Sequence, residues 1–257
     1  MPPQASAETD LCLDILVISD LHYVHKADHV CALPQRKTSL GPALLEEALL
    51  HLQRGDVQVG LVVLLGDIVD NGMVRGAEED LEAVAAAARR SGLPTLAVPG
   101  NHDGDFERFA DVFGCGPGLR TCGGYGFLLF HDHVAPDDVT TRPPNGLSLP
   151  RRAASEHPGS LWVALQHNPL HPRIDARYPY MLSNAEDVLA TYGPAGVILS
   201  LSGHYHPGQR AHSVGTTTYY TVPAACEAPF AFAHVHLGGR QVEIREHTLP
   251  HLMPRYG

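Results

Sequence analysis

A chain of 257 residues, 44% hydrophobic and 18% charged, can bury a sizeable core and is read as one α/β domain over residues 1–257. Its formal net charge of −10 argues against a protein that grips long nucleic acid, which needs a basic stripe, but leaves room for a small phosphorylated substrate held through metal. No apolar run of about 18 residues exists to span a membrane. In chain order, Leu11–Ser19 reads as a buried strand, residues 23–38 as a long loop, and Ser39 as the N-cap of a helix through about Gln53, with Leu44, Leu45, Ala48, Leu49 and Leu52 on one face and Gly55 at its end. Leu61–Leu65 is a second strand, Ala77–Arg90 an alanine-rich helix and Pro94–Val98 a third strand. This β-α-β-α-β series predicts a parallel sheet with crossover helices.

The second half is richer in strands. Asp105–Phe113 reads as a short helix, Tyr125–His131 and Leu161–Gln166 as strands, and Val134–His157, rich in Pro, Arg, Ser and Asp, as surface loop. Ala185–Thr191 is predicted helical and Gly196–Ser200 a strand. Thr216–Val222, Phe230–Leu237 and Gln241–His247 follow as strands, with Gly238-Gly239 as a hairpin turn. Met1–Asp10 has neither the basic nor the apolar part of a signal peptide. The five cysteines (Cys12, Cys31, Cys115, Cys122 and Cys226) are odd in number and lack CxxC spacing, which reads as free thiols in a reducing cytoplasm, although Cys115 and Cys122 flank a loop that would let them pair.

Five short segments carry the chemistry: Asp20-Leu21-His22, Gly66-Asp67-Ile68-Val69-Asp70, Gly100-Asn101-His102-Asp103, His167-Asn168-Pro169 and Gly203-His204-Tyr205-His206. Each follows an apolar run that reads as a strand, and in open α/β sheets ligands gather beyond the carboxyl ends of strands. Asp, His and Asn supply the oxygen and nitrogen donors that suit Mn²⁺, Fe or Zn²⁺. In an extended segment residues two apart share a side, so Asp20 and His22 can reach one cation, whereas the adjacent Asn101 and His102 point apart. The Asp67 carboxylate can bridge two ions about 3.5–4 Å apart. Asn101 offers a neutral carbonyl oxygen, and His167, His204 and His206 offer imidazole nitrogens.

This motif set, running from Asp20 to His206, resembles the calcineurin-like metallophosphoesterase superfamily, whose signature is D-x-H, G-D-x-x-D, G-N-H-[DE], a lone His and G-H-x-H. The resemblance implies a four-layer α/β/β/α sandwich of two mixed sheets flanked by helices. It implies two divalent or mixed-valence transition-metal ions, one held by Asp20, His22, Asp67 and His206, the other by Asp67, Asn101, His167 and His204. It gives His102 the role of acid at the leaving group, and Asp103 that of orienting it. The expected activity is hydrolysis of a phosphodiester or phosphomonoester through in-line attack by a metal-bridging hydroxide. The small bacterial branch containing cyclic-nucleotide phosphodiesterases is the leading specific likeness. A nucleotide pyrophosphatase, a broad phosphomonoesterase and a non-catalytic scaffold are the alternatives, and a homo-oligomer is compatible. The purple acid phosphatase branch carries tyrosine where this chain has Asp70, so Asp70 is expected to support the site rather than colour it.

Other polar residues invite weaker readings. His131-Asp132-His133 and His234-Val235-His236 imitate ligand pairs, but the second pair lies on a strand of the tail with no carboxylate partner identified in the sequence. His171, Arg173 and Arg177 are candidates for the substrate mouth, and Tyr23 and Tyr205 for packing or stacking beside the ligands. The Tyr23–Thr38 loop and the His171–Met181 segment match no motif.

Overall fold

The computed structural model describes residues 11–26, 31 and 33–252. The N-terminal ten residues and part of the 23–38 loop, both read from the sequence above, therefore lie outside the described residues.

The first sheet is built from β1 (Cys12–Ile18), β2 (Leu61–Leu65), β3 (Thr95–Val98) and two later strands. β1 pairs parallel with β2, and β2 with β3. Between them run α1 (Gly41–Arg54) and α2 (Ala77–Arg90), with α3 (Phe106–Phe113) after β3. The second sheet contains β4 (Gly118–Cys122) and β5 (Tyr125–Leu129), and β6 (His133–Val134) with β7 (Thr140–Thr141) forms a small separate ribbon. After α4 (Pro144–Glu156), β8 (Trp162–Leu165), α5 (Ala185–Ala195), β9 (Val197–Ser202), β10 (Gln209–Val214) and β11 (Thr217–Thr221) complete the second sheet in the order β10-β11-β9-β8-β5-β4. The hairpin β12 (Ala231–Gly238) and β13 (Gln241–Thr248) then returns to the first sheet, giving β13-β12-β1-β2-β3.

Alternation along the strands explains the layering. Phe127 and Leu129 of β5, with Val163 and Leu165 of β8, pack into the core shared with Ile15, Val17, Val63 and Val235 of the first sheet. Their neighbours Leu128, Trp162 and Ala164 face the other way, onto Leu149 and Ala153 of α4 and Val188 and Tyr192 of α5. Leu44, Leu45 and Ala48 of α1 and Leu81 and Val84 of α2 cover the outside of the first sheet. The result is a four-layer α/β/β/α sandwich, as the motif resemblance implies.

Three local expectations need correction. Val134–His157 is not all loop: it holds β6, β7 and the 13-residue α4. Pro144 sits near the start of that helix, where a missing N–H costs little, and burial of Leu149, Pro150 and Ala153 outweighs the penalty of Pro150 inside it. Ser39 lies in a 3₁₀ turn, Thr38–Leu40, and the N-cap of α1 is Leu40. The edge strands β4 and β10 were not expected, because neither alternates clearly. Cys115 and Cys122 are both free, in keeping with the free-thiol reading, and the Cys115 thiol donates to the Ala97 carbonyl at 3.3 Å.

Candidate metal centre

The five motif segments meet where the two sheets come together at the carboxyl ends of their parallel strands. The β1–β2 ladder continues past the strands: Asp20 N–H donates to the Gly66 carbonyl at 3.1 Å and His22 N–H to the Asp67 carbonyl at 2.9 Å. Gly203 N–H donates to the His167 carbonyl at 2.9 Å, tying the β8 and β9 ends together. Asp20 and His22 are not extended, as the i, i+2 argument assumed. Asp20, His22, Asp67 and His204 are four of the seven described non-glycine residues with positive φ. Such conformations cost energy and persist where the surroundings enforce them, commonly at functional sites. Asn101 and His102 occupy a turn. Two glycines permit the close approach. A Cβ on Gly100 would stand 2.2 Å from Asp67 Oδ1, and one on Gly203 would stand 1.8 Å from Ser19 Oγ.

Donor atoms converge in two groups. Asp20 Oδ1 lies 4.0 Å from His22 Nε2 and 3.5 Å from His206 Nε2. Asp67 Oδ2 lies 3.6 Å from His22 Nε2 and 3.3 Å from His167 Nε2, between the two groups. His167 Nε2 and His204 Nδ1 are 3.1 Å apart. Among the described residues, eight buried side-chain polar atoms have no hydrogen-bond partner, and four of them are Asp20 Oδ1, His22 Nε2, Asn101 Oδ1 and His204 Nε2. Buried polar atoms are ordinarily satisfied. These four orphans, all oxygen or imidazole nitrogen on residues of the motif segments, are of the donor types that suit transition-metal ions.

The remaining atoms of these residues are committed elsewhere, which leaves the converging atoms available. Asp20 Oδ2 accepts from Ser19 Oγ at 2.6 Å and from His204 N–H at 3.0 Å. His167 Nδ1 donates to the Leu65 carbonyl at 2.7 Å, and His206 Nδ1 to Glu227 Oε1 at 2.6 Å. His22 Nδ1 lies 3.4 Å from Asp70 Oδ1, a carboxylate that also meets Arg36 Nη1 at 3.6 Å. Such outer bonds fix tautomer and ring orientation. Sequence reasoning found Asp70 in this supporting place but missed Ser19, Arg36 and Glu227. No motif marks them, since Arg36 and Glu227 arrive through an isolated β-bridge between their own segments.

Electrostatics point the same way. Burial opposes the charge on Asp67, but His167 and His22 hold its carboxyl well below the usual range. Burial likewise works against protonated His167, yet Asp67 raises it to about 10. Burial and the neighbouring His167 push His204 down to about 3. One positive charge therefore settles among Asp67, His167 and His204, in the place a cation would take.

Asp103 and His102 are arranged differently from expectation. The buried Asp103 carboxylate accepts from Ile68 N–H at 2.7 Å, Val69 N–H at 3.0 Å and Gly100 N–H at 2.8 Å, so it joins the Asp67 and Asn101 loops. Burial and the charge of Asp67 raise its pKa to about 7. The group on His102 Nδ1 is instead the Asp70 carbonyl, at 2.6 Å. The His102 ring stands edge-on to His22, with centroids 4.7 Å apart.

Above the donors opens a cleft of about 770 Å³ lined by Arg36, Asp70, Asn71, His102, Tyr178 and Tyr180, among others. Tyr178 and Tyr180 pack near His204, with centroids 5.6 and 5.4 Å away, and Tyr205 meets Tyr180 at 5.1 Å. The aromatic wall thus comes from the His171–Met181 segment, but not from the residues expected there. His171 packs on His212 and Tyr219, Arg173 and Arg177 are exposed, and Tyr23 is buried against Gly41. His131 packs on Phe106 and Phe109. Among the described residues no helix is long and apolar enough to cross a membrane.

No curated protein sequence matches the chain. Among solved structures it is similar to a dimetal phosphatase from Danio rerio, with TM-score 0.70 and 20% identity over 92% of this chain and 99% of that one. A Thermus thermophilus protein superposes with TM-score 0.60 at 15% identity, covering 91% and 98% of the two chains. The purple acid phosphatase PPD1 of yellow lupin (Lupinus luteus) seeds gives 0.59 at 13% identity, covering 93% of this chain and 52% of that one. At such identities these likenesses speak for the fold. The calcineurin-like phosphoesterase family model matches residues 13–208, well over half the chain. The chain therefore belongs to the calcineurin-like phosphoesterase family and is a metal-dependent phosphoester hydrolase.

Proposed function

We propose that Asp20, His22, Asp67 and His206 hold one metal ion, that Asp67, Asn101, His167 and His204 hold a second, and that the pair serves hydrolysis of a small phosphodiester, a cyclic nucleotide first among them. The observation that carries the two-ion reading is the position of Asp67 Oδ2, 3.6 Å from His22 Nε2 and 3.3 Å from His167 Nε2. Two such ions, when bound, supply Lewis-acid charge for the phosphate and an activated water. Mn²⁺, Fe or Zn²⁺ suits the imidazole-rich donors better than Mg²⁺, which prefers octahedral oxygen.

The chain's own residues do the rest. His102 is the acid: its Nδ1 donates to the Asp70 carbonyl, and in the doubly protonated ring Nε2 hands its proton to the departing oxygen. Asp103 acts through the backbone, holding the loops that carry Asp67, Asn101 and His102. Arg36 adds a fixed positive charge to the cleft wall beside Asp70. Tyr178 and Tyr180, the latter backed by Tyr205, offer flat apolar surface beside the donors, which favours a leaving group with a ring, as a nucleotide has. A nucleotide pyrophosphatase would use the same wall, and a broad phosphomonoesterase would not need it.

The deciding experiment is a turnover panel with Mn²⁺ added to metal-stripped protein, comparing cyclic nucleotides, dinucleotides, nucleotide pyrophosphates and simple monoesters. Cyclic nucleotides are expected to give the highest kcat/KM. Preference for a simple monoester would overturn the diesterase reading, and equal rates with Mg²⁺ would overturn the metal assignment.

A further inference from the structure

His234-Val235-His236 finds in the fold the carboxylate that its sequence neighbourhood lacks. β1 and β12 are antiparallel neighbours, with Asp14 opposite His236, Leu16 opposite His234 and Cys12 opposite Gly238. Residues two apart on a strand share a face, so Cys12, Asp14, His234 and His236 project from the same side. Asp14 Oδ1 lies 2.7 Å from His234 Nε2 and 2.9 Å from His236 Nδ1. Ligand atoms of Cys12, Asp14 and His236 all lie within 4.8 Å of one another. Gly238, opposite Cys12, adds no side chain over the thiol. Behind this group, His247 of β13 and His51 of α1 approach to 3.2 Å between ring nitrogens, and His247 Nε2 is buried without a partner.

We propose that Cys12, Asp14 and His236 form a separate mononuclear site for a thiophilic divalent cation of the zinc class, with His234 bracing the Asp14 carboxylate. The set comprises one thiolate, one imidazole and one carboxylate, three protein donors that leave the fourth tetrahedral position of Zn²⁺ to water. The thiolate selects against Mn²⁺ and Mg²⁺. Asp14 as a plain acceptor for two neutral histidines would account for the bonds to His234 and His236 but not for a thiol placed within 4.8 Å of the Asp14 and His236 ligand atoms. Cys12 is exposed, so an ion has a way in. The site lies on the strand that leads to Asp20, six residues and roughly 20 Å before it. An ion there would clamp β1 to β12 without entering the phosphoesterase cleft.

The test is a Co²⁺ titration of the metal-stripped full chain, followed by absorbance. The donors proposed for the phosphoesterase centre include no sulfur, so a thiolate-to-cobalt charge-transfer band reports this site alone, whether or not the two-ion reading holds. One equivalent of Co²⁺ per chain is expected to produce the band. Cys12→Ser should abolish it and remove one bound equivalent, with unchanged circular dichroism and unchanged Mn²⁺-supported turnover. Cys226→Ser, at the thiol grouped with His206 and Glu227, should leave the band intact. Absence of the band at saturating Co²⁺, or its persistence in Cys12→Ser, would overturn the proposal.

Discussion

At the scale of single residues, the supporting bonds make sharper predictions than the donors themselves. Glu227 takes the Nδ1 proton of His206 at 2.6 Å. Weakening that bond in Glu227→Gln should lower metal affinity by about 10–100-fold, while kcat recovers at saturating Mn²⁺. Metal titration of activity checks this, and unchanged affinity would mean the bond does not set the ring. His102 is tested by leaving groups. His102→Ala should retain metal and lose on the order of 10²–10⁴-fold on a ribose ester, but far less on p-nitrophenyl esters, whose leaving group needs little protonation. Equal losses in kcat/KM on both would place His102 in binding instead. The residues that converge at the strand ends were legible in the sequence because each motif carries its own residue types. Arg36, Ser19 and Glu227 were not, because their roles depend on which loops the sheets bring together.

At the scale of elements, the ligand loops are stapled to one another by buried backbone hydrogen bonds. Asp103 is the clearest staple, taking three N–H groups from two different strand–helix connections. Asp103→Ala would leave three buried donors unmet at about 1–3 kcal/mol each, so a loss of roughly 3 kcal/mol or more is expected by urea denaturation. Asp103→Asn, which keeps an acceptor oxygen, should lose less. The same pair of variants separates stapling from an orienting action on His102, because stapling alone predicts that metal-free stability falls. The βαβ half was readable because its strands and helices each keep one period. α4 was not, because its Pro, Ser and Arg content mimics loop, and only its burial against α5 makes it helical.

For the whole molecule, acid stability is set partly by histidines far from the centre. Burial among Phe106 and Phe109 lowers His131 to about 4, from 6.5. Above about pH 6.5 the ring is neutral both folded and unfolded, and its contribution is fully present. As pH falls from there towards 4, the unfolded chain takes up a proton that the folded chain refuses, so stability is lost. His131→Leu should therefore lose less stability than the wild type between pH 7 and pH 4.5 in thermal melts, and parallel losses would remove His131 from the account. The sequence by itself determined the order of the motifs, the donor types, the parallel strands that end at them, and with these the family. Those properties are local, written in residue identity and in hydrophobic period. Tertiary structure alone decided that the strand-end residues adopt left-handed backbone, that Asp103 staples loops instead of touching His102, and that Asp14 faces His234 and His236 across a strand pair separated by more than two hundred residues. Register between distant strands sets those contacts, and no local pattern encodes it.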